Sequence, residues 1–249
     1  MRQYVDRGPW FVAPPGAWAA GSVVLPPDES HHAAKVLRVA PPDVVTATDG
    51  RGTVARCAVS TVEGPAVVLE ILEKETLQRP RPEIAVFQGA AKGHKTDEVV
   101  EKLAELGVAG VFVYESRRSV ARWDRAKVER LNERWAAVAR AAAKQSRNPF
   151  VTEAAAGLSW DGLVRRIAAE PAAVVLWEEA SLPLRTALLD DVDRLAVVVG
   201  PEGGLEPAEA EALAGAGGQL VSLGPRILRT ESAALVTVAA LQYHYRVIG

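Results

Sequence analysis

Hydrophobic and polar positions keep one rhythm up to about residue 72 and another from residue 83 onward. In the first stretch, β-branched runs at Val23-Val-Leu25, Val44-Val-Thr-Ala-Thr48, Gly52-Thr-Val-Ala-Arg-Cys-Ala-Val59 and Ala66-Val-Val-Leu-Glu-Ile-Leu72 are parted by Pro-Pro, Asp-Gly and Glu-Gly-Pro turns. Short runs between turn residues predict a small β domain, with Asp49-Gly-Arg-Gly52 as one of its tight turns. One helix interrupts it over residues 28–38 and sets Lys35 and Arg38 close to one face, beside His31 or His32. Residues 73–82, polar and bearing Pro80 and Pro82, read as a linker between the two stretches.

From residue 83 the pattern is strand, helix, strand. Glu83-Ile-Ala-Val-Phe-Gln-Gly89 predicts a strand, residues 96–107 a helix capped by Thr96 and stopped by Gly107, and residues 108–114 the next strand. Such a βαβ unit predicts a parallel sheet. Lys92 and Lys95 fall after its first strand, and Arg117 and Arg118 after its second. Both pairs emerge at the carboxyl edge, where α/β proteins bind their ligands. A long helix over residues 124–145 carries Val128, Leu131, Trp135, Val138 and Ala142 as one apolar stripe, so Trp135 is a core residue. Gln145 and Arg147 close it, and residues 172–179 form another strand.

The last third holds two apolar runs that each end in Gly-Pro: Leu195-Ala-Val-Val-Val-Gly-Pro-Glu-Gly-Gly-Leu205 and Gln219-Leu-Val-Ser-Leu-Gly-Pro-Arg-Ile-Leu-Arg-Thr-Glu-Ser-Ala-Ala-Leu235. Glycines at the carboxyl end of a strand let a ligand approach the backbone. A phosphate is a poor fit, because the first loop lacks G-x-G-x-x-G spacing and puts Glu202 where an anion would be repelled. A neutral or cationic ligand suits it better. In the second loop Arg226 and Arg229 flank Ile227-Leu228, Thr230 is the expected N-cap and Glu231 enters the first helical turn. The helix after it is apolar around most of its circumference, so it needs cover on more than one side, from the sheet and a neighbouring helix or from a second subunit.

Composition is that of a soluble globular protein, 49% hydrophobic and 24% charged over 249 residues. The polar start and the lack of a long uncharged apolar run predict a cytoplasmic protein. A single cysteine, Cys57, allows no intrachain disulfide and sits in an alternating stretch as a small core residue. His31 and His32 have no third ligand nearby, so no metal is expected. The net charge of −2 hides a division: residues 79–148 hold 15 Lys and Arg against 9 acids, and residues 149–249 hold 7 against 13. A basic middle third suggests a polyanion on one face, solvated helices being the blander account.

Gly200-Pro-Glu-Gly-Gly followed by Leu223-Gly-Pro-Arg-Ile-Leu-Arg-Thr-Glu-Ser-Ala resembles the signature of the SPOUT methyltransferases, and His31-His-Ala-Ala-Lys-Val-Leu-Arg38 resembles a pattern of the RsmE family within them. The resemblance implies an N-terminal PUA-like RNA-binding β-barrel over residues 1–72 and a SPOUT α/β domain over residues 83–249, with a trefoil knot at about residues 195–241. It implies S-adenosylmethionine as cofactor, N3 of a uridine in 16S ribosomal RNA as methyl acceptor, and a homodimer. The donor would be held by Leu176, Gly200, Glu202, Gly203, Leu223, Gly224, Ile227, Leu228 and Thr230. Arg229 would stabilise the uridine anion, with Glu231 as base or orienting partner. RNA contacts would come from Arg2, Arg7, His32, Lys35, Arg38, Lys92, Lys95, Arg117, Arg118 and Arg147. Relatives carry a glutamate where Lys144 stands here, so no role of that acid transfers. The alternatives are a SPOUT enzyme acting on another base or ribose, a Rossmann-like nucleotide-binding enzyme, and a non-catalytic RNA-binding module. Against the Rossmann reading, the glycines of Phe87-Gln-Gly-Ala-Ala-Lys-Gly93 have the wrong spacing.

Overall fold

The computed structural model describes residues 8–63, 66–92, 94–119 and 123–249. Arg2 and Arg7, expected to meet RNA, lie outside these residues. The chain divides into two compact units, Met1–Arg79 with Ala143–Val151, and Pro80–Ala142 with Thr152–Gly249.

The first unit is built from β1 (Trp10–Val12), β2 (Trp18–Ala19), β3 (Ser22–Val24), α1 (Pro27–His31), β4 (Val44–Thr48), β5 (Thr53–Glu63) and β6 (Ala66–Thr76). They form one six-stranded sheet in the order β1-β4-β5-β6-β3-β2, antiparallel except where β1 lies parallel to β4. The β5–β6 hairpin shifts register between Arg56 and Cys57 and again between Val59 and Thr61, and such bulges bend a sheet. Phe11, Val23, Val45, Cys57 and Leu69 fill the core. Burial pushes the Cys57 thiol up to about 11, so it stays a neutral apolar filler.

The expected helix over residues 28–38 is not one regular helix. After α1 the backbone widens into a single π-helical turn, His32–Leu37, and stops at Arg38 in the left-handed region with φ 55°. The segment Ala143–Val151 also packs within this unit: the amides of Gly52 and Val151 donate to Pro149 O and Gly50 O at 3.2 and 2.9 Å, and Lys144 Nζ meets the buried Glu29 Oε1 at 2.7 Å.

The second unit contains β7 (Glu83–Gly89), α2 (Lys95–Glu105), β8 (Gly110–Tyr114), α3 (Arg125–Ser146), β9 (Glu153–Leu158), α4 (Trp160–Ala169), β10 (Ala173–Leu176), β11 (Arg194–Val199), α5 (Pro207–Gly215), β12 (Gln219–Val221) and α6 (Thr230–His244). The residues of α3 from Ala143 on belong to the first unit. The sheet runs β12-β10-β11-β7-β8-β9 and every pairing is parallel, as the βαβ pattern predicts. Alternate strand residues feed two cores. Val86, Val111, Val113, Val197 and Val199 pack with Trp135, Ala234 and Leu241 on one side, while Phe87, Phe112, Tyr114, Val175 and Val198 pack with Leu163 and Leu213 on the other. A sheet covered on both faces explains why these strands read as unbroken apolar runs. Trp135 is fully buried, and its indole N–H donates to Asp97 Oδ1 at 2.7 Å. Among the described residues no helix is long and apolar enough to cross a membrane.

Two helix starts differ from expectation. α2 begins at Lys95 after an N-cap at His94, and Thr96 instead uses its hydroxyl to accept from Ala91 N–H at 3.2 Å. α6 begins at Thr230 itself, with Arg229 as N-cap, which frees the Thr230 hydroxyl for contacts outside the helix.

Candidate active site

The carboxyl ends of β10, β11 and β12 are neighbours in the second unit's sheet, so the loops that leave them rise from one edge. Trp177 N–H donates to Val221 O at 3.1 Å, and Ser222 exchanges backbone bonds with Leu182 and Leu184, which ties the first loop to the third. The middle loop meets the end of β7. A Cβ on Gly89 would stand 2.4 Å from Pro201 N, so no side chain fits at that crossing.

Beside that crossing lies a buried polar bridge. Gln88 Nε2 donates to Thr230 Oγ1 at 2.7 Å and to Gly89 O at 3.0 Å, and the Thr230 hydroxyl donates to Gly200 O at 2.6 Å. Gln88 is fully buried, and its Oε1 has no partner among the described residues. This residue was not anticipated as part of the site. Its signal was present, as one amide near the end of an otherwise apolar buried strand, where polar side chains need a specific partner. On the next strand Tyr114 OH donates to Val199 O at 3.1 Å, and burial followed by the nearby Glu209 charge raises its pKa, keeping the phenol a donor.

Glu202, Lys92 and Lys95 come together. The Glu202 carboxylate accepts Lys92 N–H at 2.9 Å and stands 3.4 Å from Lys95 Nζ. Burial alone would raise its pKa, but hydrogen bonds from Lys92 N–H, its own N–H and the Lys95 ammonium outweigh that and hold it below the ordinary value. Arg117 and Arg118 also meet the middle loop. Arg118 Nη1 donates to Gly203 O at 3.0 Å, Arg117 Nη1 lies 3.4 Å from Glu206 Oε2, and Arg117 N–H donates to Glu209 Oε1 at 2.9 Å. Glu202 and the two arginines therefore brace the Gly200-Pro-Glu-Gly-Gly loop from both sides.

The third loop is different. Among the described residues no internal hydrogen bond engages the backbone of Leu223, Arg226, Ile227 or Leu228. Gly224 has φ 116°, which requires glycine, and a Cβ there would meet nothing within 4 Å. Arg226, Ile227 and Arg229 are exposed, and neither arginine has an ion-pair partner among the described residues. Free amides and carbonyls around an uncovered backbone suit a neutral, hydrogen-bonding ligand such as a nucleoside. Glu231 points elsewhere, into a cavity of about 190 Å³ lined with Glu98, Val99, Lys102 and Leu103 of α2, and one of its carboxylate oxygens is buried without a partner. A larger cavity of about 390 Å³ lies past β8 against Trp160 and α5, is lined by none of the residues expected to hold the donor, and both oxygens of its Glu209 accept backbone amides. His32, Lys35, Arg38 and Arg147 belong to the first unit.

Residues 78–242 match the family described as RNA methyltransferase domain, and residues 25–72 match the one described as RNA methyltransferase PUA domain. Fold, loops and these matches define the class, an RNA methyltransferase carrying a PUA domain. The chain is 36% identical over 222 residues to ribosomal RNA small subunit methyltransferase E of Mycobacterium bovis, covering 88% of this chain and 85% of that one. It is 32% identical over 224 residues to the Bacillus subtilis enzyme of the same name, covering 87% and 88%. The chain belongs to the ribosomal RNA small subunit methyltransferase E family. The motif resemblance to that family is thus borne out. Its fold is shared with a Legionella pneumophila methyltransferase solved with bound S-adenosylmethionine, with a TM-score of 0.86, 28% identity, and 96% and 98% of the two chains covered. A Neisseria gonorrhoeae member of the family, also bound to S-adenosylmethionine, gives a TM-score of 0.82 at 27% identity, with 95% and 98% covered.

Proposed function

We propose that this chain methylates N3 of a uridine in small-subunit ribosomal RNA with S-adenosylmethionine as donor. The observation that carries the reading is the third loop, where the backbones of Leu223, Arg226, Ile227 and Leu228 make no internal hydrogen bond beside two exposed arginines, on a chain of this family. Leu176, Leu223, Ile227 and Leu228 would take adenine and ribose through their backbones, with Gly224 giving access. Gly200, Gly203 and Glu202 shape the adjoining wall, and Thr230 fixes it through Gly200 O. The donor supplies an electrophilic methyl carbon on a sulfonium.

The protein's own tasks are position and charge. Uridine N3 carries a proton at neutral pH, and its lone pair becomes a nucleophile only as that proton leaves. The N3–methyl bond then forms as the sulfur–methyl bond breaks, so no covalent enzyme intermediate is required. Arg229 stabilises the negative charge on the base as the N3 proton passes to water, and Glu231, whose carboxylate lines the cavity against α2, supports the start of α6 beside it rather than taking that proton. The residues around 195–241 form the knot implied by the family resemblance, supported by the crossing of Gly89 with Pro201 and by the Thr230 bridge. A second copy covers the exposed Leu235, Val236 and Tyr243 of α6, making the enzyme a homodimer.

The test is methyl incorporation from labelled S-adenosylmethionine into small-subunit ribosomal RNA and particles, followed by nucleoside analysis. The expected product is 3-methyluridine, lost in Arg229→Ala while donor binding persists. Donor binding with no methylated ribosomal RNA would overturn the substrate assignment, and a different methylated nucleoside would overturn N3.

A further inference from the structure

In the first unit the buried positions of α1 and the turn after it run Glu29, Ser30 and Ala33. At 3.6 residues per turn the next inward positions are 36 and 37, and the sequence supplies Val36 and Leu37 there. The backbone does not use them. Over His32–Leu37 it widens to a π-helical turn, closed when Arg38 N–H and Val39 N–H both donate to Ala33 O. Val39 takes the inward place at 7% exposure, while Val36 and Leu37 are left 61% and 43% exposed. π turns inside helices concentrate at functional sites.

The residues that bracket this apolar pair are cations. Lys35, Val36, Leu37 and Arg38 form four consecutive exposed positions, and neither Lys35 nor Arg38 has an ion-pair partner among the described residues. Of the acids on α1, Glu29 is committed to Lys144 and Asp28 stands at the helix's far end. Arg38 sits in the left-handed region, where glycine or asparagine is the relaxed choice. Arg147, which ends α3 three residues past Lys144, repeats the arrangement with φ 56°. Arginine side chains are thus presented from backbone positions that would favour glycine.

We propose that this turn is an RNA wedge: Val36 and Leu37 enter between unstacked nucleobases, and Lys35 and Arg38 hold the phosphates on either side. Apolar side chains flanked by cations are the chemistry by which proteins open a base stack. The charge pattern selects a polyanion over a hydrophobic protein partner. The inference rests on the RNA-methyltransferase reading and adds to it, since N3 lies on the pairing edge of uracil and a paired uridine cannot be alkylated there.

The test uses the full chain without donor and an RNA duplex interrupted by a short uridine bulge, with 2-aminopurine beside the bulge. Wild type should raise 2-aminopurine fluorescence on binding. The double variant Val36→Ser/Leu37→Ser should lose that rise and bind at least about fivefold more weakly. Lys35→Ala and Arg38→Gly should each lower the slope of log affinity against log salt by about 0.7 to 0.9. Arg38→Gly should also melt at or above wild type, because glycine relaxes the left-handed residue, so its lost affinity is not lost folding. A serine variant with wild-type affinity and fluorescence overturns the wedge. So does one that changes the sedimenting mass of the protein and leaves RNA binding intact, since the face would then join protein to protein. Donor affinity, measured alongside, separates the two ideas: its absence in wild type refutes the methyltransferase reading, and the wedge is then judged on fluorescence alone.

Discussion

Replacing Thr230 with valine removes one hydroxyl from the centre of the site and keeps the side chain's shape. Two bonds go, the one donated to Gly200 O at 2.6 Å and the one accepted from Gln88 Nε2 at 2.7 Å. Gln88 keeps its bond to Gly89 O, but Gly200 O loses the side-chain donor that pins it, in surroundings where Thr230 is only 6% exposed. A neutral hydrogen bond contributes about 1 kcal/mol net, and a buried group left unpaired costs about 1–3 kcal/mol, so the change should destabilise the protein by about 2–3 kcal/mol. Urea unfolding followed by tryptophan fluorescence measures it. On the proposed reading, in which the bridge fixes the wall of the donor pocket, calorimetric affinity for S-adenosylmethionine should fall about tenfold or more, the equivalent of about 1.4 kcal/mol. Thr230→Ser, which keeps both bonds, should lose little affinity. A valine variant within about 0.5 kcal/mol of wild type and with unchanged donor affinity would refute the bridge.

The charged contacts give two further outcomes. The Glu202 carboxyl is held below its ordinary value of 4.5, so its stabilisation is fully present above that value and is lost as pH falls through the lowered folded value. The melting temperature of wild type should exceed that of Glu202→Gln at about pH 7, and the gap should close in strong acid; a gap independent of pH would show that the ion pair contributes nothing. Lys144→Ala strands the Glu29 carboxylate, whose side chain is 5% exposed, and should cost about 3–5 kcal/mol in urea unfolding. Adding Glu29→Gln should restore most of that loss, and a single variant within about 1 kcal/mol of wild type would mean that water or another group already serves Glu29.

The strands that place the site were legible because the sheet is buried on both faces, which makes β7, β8 and β11 continuous apolar runs ending in glycine or beside a loop signal. Three elements gave no such signal. β9, Glu-Ala-Ala-Ala-Gly-Leu, is an edge strand without a β-branched residue. α4 starts on a Ser159 cap that comes directly after that strand, and α5 starts on a reciprocal Glu206–Glu209 capping box in which glutamate stands where serine or threonine is usual. The π turn was invisible for a different reason: the spacing of Val36 and Leu37 fits a regular helix, and only the three-dimensional ending at Arg38 and Val39 turns them out. In the site itself, the glycine loops were readable as backbone chemistry. The partners of Gln88, Thr230 and Glu202 were not, since they are up to 142 residues away in sequence.

Charge shows the same gap between composition and position. The surplus of cations over residues 79–148 and of acids over residues 149–249 suggested a basic face awaiting a polyanion. Within the second unit much of that surplus is spent internally: Lys95 meets Glu202, Arg117 and Arg118 meet Glu206, and Arg81 meets Asp193. Cations already paired across a loop add less to RNA attraction than their number implies, because an incoming phosphate must compete with a fixed carboxylate. The cations without an acidic partner among the described residues include Lys35 and Arg38 in the first unit, and Arg226 and Arg229 beside the third loop in the second. Each pair flanks two apolar residues, Val36-Leu37 in one and Ile227-Leu228 in the other. Specific recognition would then depend on these two short segments more than on the basic middle of the chain, one acting on stacked bases and the other at the methyl donor.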